Sequence, residues 1–322
     1  MDKNNLMFKF KEHLKVLNRS SSTIKNYTSH LEHFFAAVKE QNMQKVTRDM
    51  IEDYVSGLYQ HRTVRGKPYS TGTLCIKIRS IKRFFEFLEK SNLVFIDPSE
   101  HIKEPKLNRR VLKPVMTTKE INRLMDQPNL GTFMGIRDRS VMELFYSTGI
   151  RKEELCNLTI YDADLTGRMV RINKGKGQKD RVVPMGRHAA KFIREYIAAV
   201  RPHFTKKNRA CRCLFVDRMG KPLSKQAVRV MVKKYAKAAK IKKQVSPHMF
   251  RHCFATALVK NGADIFAVQK MLGHACVSTT QVYIRSLGLD IKKIHQKTHP
   301  REKDTIDKKL VKPAIERMIE DG

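Results

Sequence analysis

The chain contains 322 residues, enough for two domains with hydrophobic cores. Its 65 Lys and Arg residues against 31 Asp and Glu residues give a formal charge of +34, an excess that favours a polyanionic partner, nucleic acid first. Neither a signal peptide nor an apolar run of about 20 residues is recognisable, which argues against a membrane protein and predicts a cytoplasmic location. Six scattered cysteines are unlike the dense framework of a small secreted domain, so we expect free thiols.

The first hundred residues carry apolar side chains at the helical spacing of three and four positions. We predict a short helix near residues 5–17, a second after caps at 21–23, a third after Thr47 and a fourth after Thr71. Together these segments predict an all-helical bundle.

The helix that follows Thr71 carries positive charge opposite its apolar face. Lys77, Lys82 and Arg83 form this stripe. Such a stripe can lie along DNA or simply face water, and the charge of the whole chain makes DNA contact a reasonable hypothesis.

Residues 98–114 contain three prolines and many charges without an apolar period, which is typical of an extended linker. We therefore predict a helical DNA-binding domain over residues 1–104, a linker over 105–115, a catalytic domain over 116–300 and a tail over 301–322. A hinge at this point would let two domains close around a duplex.

The second domain is predicted to be mainly helical with a small β-sheet. A helix begins at Thr117 or Thr118, and a strongly apolar helix over 135–146 ends at Thr148 and Gly149. Residues 169–172 and 181–184 alternate as strands around a turn at 175–178, which predicts a β-hairpin. Further helices are predicted at about 187–200, 224–239, 248–260 and 263–272.

Four polar segments of this domain are candidates for chemistry. They are TGIRKEEL at 148–155, NKGKGQKDR at 173–181, SPHMFRH at 246–252 and LGHACVSTTQVYI at 272–284. Other interpretations exist. Arg151 can pair with Glu154 on a helix surface. His248 and His252 have a spacing that could also hold a metal ion, although no carboxylate lies three or four residues away to complete such a site. Cys211 and Cys213 lack the usual zinc-ligand spacing, although His203 lies upstream.

The combination of these segments is more specific than any member. Phosphodiester transfer places extra negative charge on non-bridging oxygens, which arginine guanidinium groups bind through two parallel hydrogen bonds. The reaction also needs a nucleophile, a proton donor for the leaving oxygen and further hydrogen-bond donors. The candidates for these roles are Arg151 and Arg251 for the phosphate oxygens, Tyr283 as nucleophile, Lys176 as proton donor, and His248 with His274 as hydrogen-bond donors.

The order Arg, Lys, His-x-x-Arg, Leu-Gly-His, Tyr resembles the tyrosine recombinase (phage integrase) family, in the layout of its Xer-like members. The resemblance covers nearly the whole chain and implies a helical SAM-like core-binding domain followed by a catalytic domain. Its catalytic residues fall on Arg151, with Glu154 as acidic neighbour, and on Lys176, His248, Arg251, His274 and Tyr283. Lys174 and Lys179 share the turn of Lys176 and remain alternatives, while His252 is expected to be structural.

The resemblance implies that Tyr283 attacks a DNA phosphate, forms a 3′-phosphotyrosine link and releases a 5′-hydroxyl group. Bond energy stays in the covalent link, so no metal or nucleotide cofactor is expected. The implied partners are double-stranded DNA recombination sites and further copies of this chain or a related recombinase, two per site and four in the synapse.

The tail beyond Tyr283 is basic up to Lys312, and Pro313 suits the first turn of a terminal helix. Members of the family often place such a helix on a neighbouring protomer. The apolar spacing of the helix is equally compatible with docking on its own domain. Two other functions stay open at this level: a type IB-like topoisomerase and a DNA-binding protein that does not cut. The motifs also leave the target sequence and the choice among integration, excision and chromosome-dimer resolution undetermined.

Overall fold

The structure, a computed structural model, describes residues 3–38, 40, 42–64, 66–106, 115–173 and 180–273. The chain divides into two compact units, Met1–Val111 and Leu112–Gly322, and each has its own hydrophobic core. Over the described ranges, no helix has both the length and the apolar character needed to cross a bilayer.

The first unit contains four helices, as the apolar period predicts. They are α1 (Lys3–Val16), α2 (Ser21–Ala37), α3 (Arg48–Gln60) and α4 (Thr71–Lys90), with a short 3₁₀ turn at Met43–Lys45. Thr47 caps α3 as predicted, whereas Ser20 and Ser70 cap α2 and α4 one residue before the predicted positions. In all three the cap side chain accepts a backbone N–H of the first turn, which satisfies a donor that the helix leaves unpaired.

An aromatic cluster holds this bundle together. Phe10 of α1 and Phe84 of α4 meet edge to face at 5.4 Å, and Phe34 of α2 meets Phe85 of α4 at 6.1 Å. All four rings are fully buried. Because α4 contributes to both pairs, it is the central helix of the unit.

The segment that follows α4 is less extended than the sequence predicts. Ile102 is buried, and Arg79 of α4 binds both carboxylate oxygens of Glu104. Burial of one apolar side chain and a two-point ion pair thus fix residues 99–104 on α4. Residues 107–114 of the predicted linker lie outside the described part of the chain.

The second unit is mainly helical with one small sheet, as predicted. Its helices are α5 (Thr118–Met125), α6 (Phe133–Thr148), α7 (Lys152–Asn157), α8 (Arg187–Glu195), α9 (Arg201–Thr205), α10 (Lys225–Ala238), α11 (Pro247–Lys260) and α12 (Ile265–Leu272). A π-helical stretch, Tyr196–Val200, joins α8 to α9, and a 3₁₀ turn, Ile160–Asp162, follows α7. The six-residue α7 was not predicted, since it is too short to show an apolar period.

The sheet has three antiparallel strands in chain order, β1 (Ala163–Asp164), β2 (Met169–Ile172) and β3 (Arg181–Pro184). The bounds of β2 and β3 are as predicted, with Val170 opposite Val183 and Ile172 opposite Arg181. Val170, Ile172 and Val183 are buried on the core side. Strand β1 was not predicted, because two residues are too few to show the alternation of apolar and polar side chains that marks a strand. The predicted turn at 175–178 contains residues that the structure does not describe.

Helix α6 runs through the core of this unit and ends at Gly149. Gly149 adopts the left-handed conformation, with φ of 62°, and its N–H bonds to the carbonyl of Phe145. A Cβ atom at this position would lie 2.4 Å from Cδ1 of Phe254 on α11. Both the backbone and the packing therefore require glycine here.

We expect Gly149→Ala to destabilise the protein by about 1–3 kcal/mol, because the alanine is strained in the left-handed region and overlaps Phe254. Urea unfolding followed by circular dichroism measures the change. Gly57→Ala is the control: a Cβ there meets nothing within 4 Å, and helix propensity predicts a gain of about 0.5–1 kcal/mol in α3. Equal stability of Gly149→Ala and the wild type would contradict the strain argument.

Candidate active site

Arg151 and Glu154 meet where α6 passes into α7. Arg151 occupies the N-cap position of α7, and Glu154 is in the first turn. The backbone N–H of Arg151 donates to Oε2 of Glu154 at 2.8 Å, and Nη1 of the same arginine donates to Oε1 at 2.8 Å. The side chain of Glu154 is only 5% exposed, so this is a buried ion pair and not the ordinary surface pair that the spacing also allows.

A second arginine, Arg181 at the start of β3, binds the same carboxylate. Its Nη1 donates to Oε1 of Glu154 at 2.9 Å and its Nη2 donates to Oε2 at 2.7 Å. Its Nε donates to the carbonyl of Met271 at 2.9 Å. Sequence reasoning missed this residue, although a signal existed. Arg181 lies two residues before the buried Val183 and therefore shares its face, the core side of the strand.

The two arginines keep Glu154 ionised. Burial by itself would raise the pKa of this carboxyl group. The hydrogen bonds from Arg181 and from the N–H of Arg151, together with the positive charges, outweigh burial and lower the pKa of Glu154 to about 2. The carboxylate is therefore charged throughout the physiological range.

Arg251 of α11 is almost completely buried, with 2% of its surface exposed. Its Nη1 donates to the carbonyl of Gly149 at 2.8 Å, and its Nη2 donates to the carbonyl of Leu272 at 2.6 Å. Both carbonyls lie at the C-terminal ends of helices, α6 and α12, which carry partial negative charge and unpaired acceptors. The helix ends thus replace water for a buried cation.

The end of α12 brings the two predicted arginines together. Nη2 of Arg151 donates to the carbonyl of Gly273 at 2.9 Å, next along the chain from the Leu272 carbonyl that Arg251 binds. Gly273 is the left-handed C-cap of α12, with φ of 63°. Two guanidinium groups therefore converge on consecutive peptide units directly before His274. Such a pair is suited to hold a phosphate group.

His248 lies in the first turn of α11, one turn before Arg251, and it is exposed. Its ring meets the ring of the half-buried His252 edge to face at 4.7 Å. Burial, His248 and Arg251 lower the pKa of His252 to about 4, so His252 is neutral at neutral pH. His252 thus packs against His248, which lies one turn earlier on the same face of α11.

The metal alternatives gain no support from the described residues. Nowhere among them do three His, Cys, Asp or Glu side chains form a group able to hold a metal ion. The five described cysteines are free thiols, and His203, which lies upstream of Cys211 and Cys213, stacks on Phe133 at 4.2 Å.

The structure thus joins Arg151, Glu154 and Arg251 at the ends of α6 and α12 and places His248 one turn from Arg251. The other predicted catalytic residues, Lys176, His274 and Tyr283, lie outside the described residues, as do Lys174, Lys179 and the tail from residue 285.

The predicted DNA-contacting stripe of α4 needs correction at one residue. Lys77 is only 4% exposed and packs with its Nζ 5.1 Å from the ring centre of Tyr69. The prediction that it lies on an outer face is wrong, because the central helix α4 is packed on more than one side. Lys82 donates to the carbonyls of residues 100 and 102, and Arg83 pairs with Glu86 at 2.7 Å.

Two family models match the chain. The Phage integrase family model covers residues 114–288, and the model of the phage integrase N-terminal SAM-like domain covers residues 8–92. The predicted family resemblance is therefore confirmed in both units.

Curated relatives match along most of their length. Tyrosine recombinase XerD of Staphylococcus saprophyticus is 36% identical over 285 residues, which are 88% of this chain and 94% of the relative. Tyrosine recombinase XerC of Thermodesulfovibrio yellowstonii is 33% identical over 299 residues, 92% and 96% of the two chains.

Solved structures share the fold at lower identity. A lambda integrase dimer bound to a COC′ core site superposes with a TM-score of 0.69 at 15% identity, over 90% of this chain and 98% of the integrase chain. XerH recombinase bound to its difH substrate gives 0.65 at 22% identity, over 89% and 81%. These likenesses confirm the predicted fold class.

We expect Glu154→Gln to lower the free energy of unfolding at pH 7 by on the order of 3 kcal/mol, because two partly buried arginines lose their charged partner. The folded pKa of about 2 lies below the usual 4.5, so this stability is present above the unfolded pKa and is lost as the pH falls toward 2. Urea unfolding at pH 7 and about pH 3.5 measures it. A difference between variant and wild type that does not shrink at the lower pH would contradict the assigned ionisation.

Proposed function

The chain belongs to the phage integrase family of tyrosine recombinases, and we propose that Arg151 and Arg251 bind the scissile DNA phosphate while Tyr283 attacks it. The family model and the curated relatives make the chain a tyrosine-type site-specific DNA recombinase. The observation that carries the residue assignment is the convergence of both arginines on the consecutive carbonyls of Leu272 and Gly273.

This convergence matters because of what the two arginines can do together. In the transition state of phosphoryl transfer, negative charge accumulates on the non-bridging oxygens. Guanidinium groups held rigidly before the substrate arrives need no rearrangement to meet this charge. Carbonyl acceptors at two helix ends, and Glu154 for Arg151, supply that rigidity.

The proposed cleavage step begins with the phenolic oxygen of Tyr283. It gives up its proton to solvent and forms a bond to the phosphorus, and the bond from phosphorus to the 5′-oxygen breaks. Lys176 donates a proton to that leaving oxygen, which becomes a 5′-hydroxyl group. His248 and His274 donate hydrogen bonds to the phosphate oxygens.

The covalent intermediate is a 3′-phosphotyrosine ester, which conserves the energy of the broken bond. Attack by the 5′-hydroxyl group of a partner strand reverses the chemistry and releases Tyr283. Because the DNA strand is rejoined by exchange of esters, the proposed reaction consumes no nucleotide and requires no metal ion.

The proposed assembly is two protomers on each double-stranded site and four in the synapse, formed by this chain alone or with a related recombinase. Related structures support it, since lambda integrase is seen as a dimer on a core site and as a tetramer on a Holliday junction. In this arrangement residues 1–104 form the core-binding domain, residues 116–300 the catalytic domain, and the tail over 301–322 is exchanged between protomers or docked on its own domain. The proposed location is the cytoplasm.

We expect Tyr283→Phe to bind a recombination site normally but to form no covalent complex, because only the attacking oxygen is removed. A substrate nicked near the cleavage site traps the intermediate, and a denaturing gel reveals it. Arg151→Ala is the companion variant, expected to retain the nucleophile yet cleave at least about a hundredfold more slowly. A covalent complex with Tyr283→Phe would disprove the assigned nucleophile.

We expect Lys176→Ala to cleave normal DNA slowly and to recover most of its rate when the bridging 5′-oxygen is replaced by sulfur. A thiolate leaves without a proton, so the general acid becomes unnecessary. Arg151→Ala should not recover, because the non-bridging oxygens are unchanged. Rescue of Lys174→Ala or Lys179→Ala instead would assign the proton to another lysine, and rescue of none would mean that the hairpin supplies positioning or charge.

A further inference from the structure

We infer that Arg181 is a positioning residue for DNA cleavage: it fixes Glu154, and through Glu154 it holds Arg151 in the orientation that binds phosphate. The inference rests on the proposed role of Arg151. Arg181 itself is assigned no DNA contact, since all three of its guanidinium nitrogens already donate to Glu154 or to the carbonyl of Met271.

The two arginines share Glu154 symmetrically. Oε1 accepts from Nη1 of Arg151 and from Nη1 of Arg181, while Oε2 accepts from the N–H of Arg151 and from Nη2 of Arg181. Each oxygen thus receives one hydrogen bond from each residue. Removing Arg181 would leave the carboxylate with half of these donors, and it would no longer be clamped in the plane that faces Arg151.

Charge gives a second reason for Arg181. A pair made of Arg151 and Glu154 alone has no net charge, so the carboxylate would offset much of the attraction between the arginine and a phosphate. With Arg181 the cluster carries a net charge of about +1. The second arginine therefore allows Glu154 to orient Arg151 without cancelling its charge.

Arg181 also connects three parts of the site. It begins β3, it binds the acidic residue of α7, and its Nε reaches the carbonyl of Met271 near the end of α12. A Cβ on Gly273 would lie 3.1 Å from Cδ of Arg181, so the end of α12 packs closely on this side chain. Along the chain, Arg181 follows the proposed general acid Lys176 by five residues. One side chain thus anchors the strand that follows the general acid to the residue that orients Arg151.

The first test is Arg181→Met, which keeps an apolar chain of comparable length but removes the charge and the donors. With a nicked substrate at saturating protein, we expect the single-turnover rate of covalent complex formation to fall at least about thirtyfold, and the Kd for the uncleaved site to change less than about threefold. A merely structural residue would not change the rate of the chemical step in the folded, DNA-bound protein.

The matched control is Arg139→Met. Arg139 is 15% exposed, close to the 11% of Arg181; it donates from Nε to Oε1 of Glu143 at 2.8 Å and binds the carbonyl of Met125. Its loss removes a similar ion pair and carbonyl contact from the same unit but leaves Glu154 untouched. We expect it to lower thermal stability as Arg181→Met does while retaining a cleavage rate within about threefold of the wild type.

The pH profile provides a second readout. In the wild type Glu154 has a pKa of about 2 and stays ionised. Without Arg181, burial raises this pKa, so the carboxyl group takes up a proton as the pH falls, and Arg151 loses its orienting partner. We therefore expect Arg181→Met to lose further activity between about pH 7 and pH 5 relative to the wild type. Arg181→Lys retains the charge but not the two-point geometry, and it should restore the pH dependence of the wild type with only part of its rate.

The outcomes separate the two hypotheses. Cleavage by Arg181→Met at the rate and with the pH profile of Arg139→Met would overturn the positioning role while leaving the proposed function intact. Cleavage by Arg151→Ala at the wild-type rate would overturn the proposed function and, with it, the role of Arg181. The inference is supported if Arg181→Met cleaves slowly and loses further activity toward pH 5, and if Arg181→Lys restores the pH dependence of the wild type.

Discussion

The catalytic unit depends on one physical requirement: guanidinium groups taken out of water must find acceptors of matching geometry. Isolated buried charges are too costly to persist. In this protein the acceptors are the carbonyls at the C-terminal ends of α6 and α12 and the carboxylate of Glu154. Both helices end at a glycine in the left-handed conformation, which exposes the last carbonyls to the arginines. The positions of Arg151 and Arg251 therefore depend directly on where α6 and α12 end.

Such an arrangement links stability to function. The same bonds that make Arg151 and Arg251 tolerable inside the fold hold them in fixed orientations, so the cost of ordering them is met during folding and not at the moment of reaction. The chain carries a formal charge of +34, and most of the Lys and Arg side chains that the structure describes are exposed, where salt screens their charge. The partly buried Arg151 and the buried Arg251, tied to helix ends, are the cations that suit a specific contact with a reacting phosphate.

Helix α4 of the first unit shows how packing changes the meaning of a charge pattern. Its sequence has a polar stripe opposite an apolar face, but the aromatic cluster places the helix at the centre of the bundle. Lys77 is consequently buried beside Tyr69, Lys82 serves to hold the segment after the helix, and Arg79 binds Glu104. Positive residues on this helix thus have structural partners in addition to any role at a DNA surface.

The sequence by itself determined most helices of both units, the strands β2 and β3, the cap Thr47 of α3, and the family motif on Arg151 and His-x-x-Arg. These features are local, because helix period, strand alternation and caps involve residues within about four positions. Only the tertiary structure decided that Arg181 shares Glu154 and that Lys77 is buried. The contacts that assemble the site are distant in the chain: Arg151 to Gly273 spans 122 residues, and Arg251 to Gly149 spans 102. Periodicity carries no information about such pairs, since they are set by which helix ends the packed core brings together.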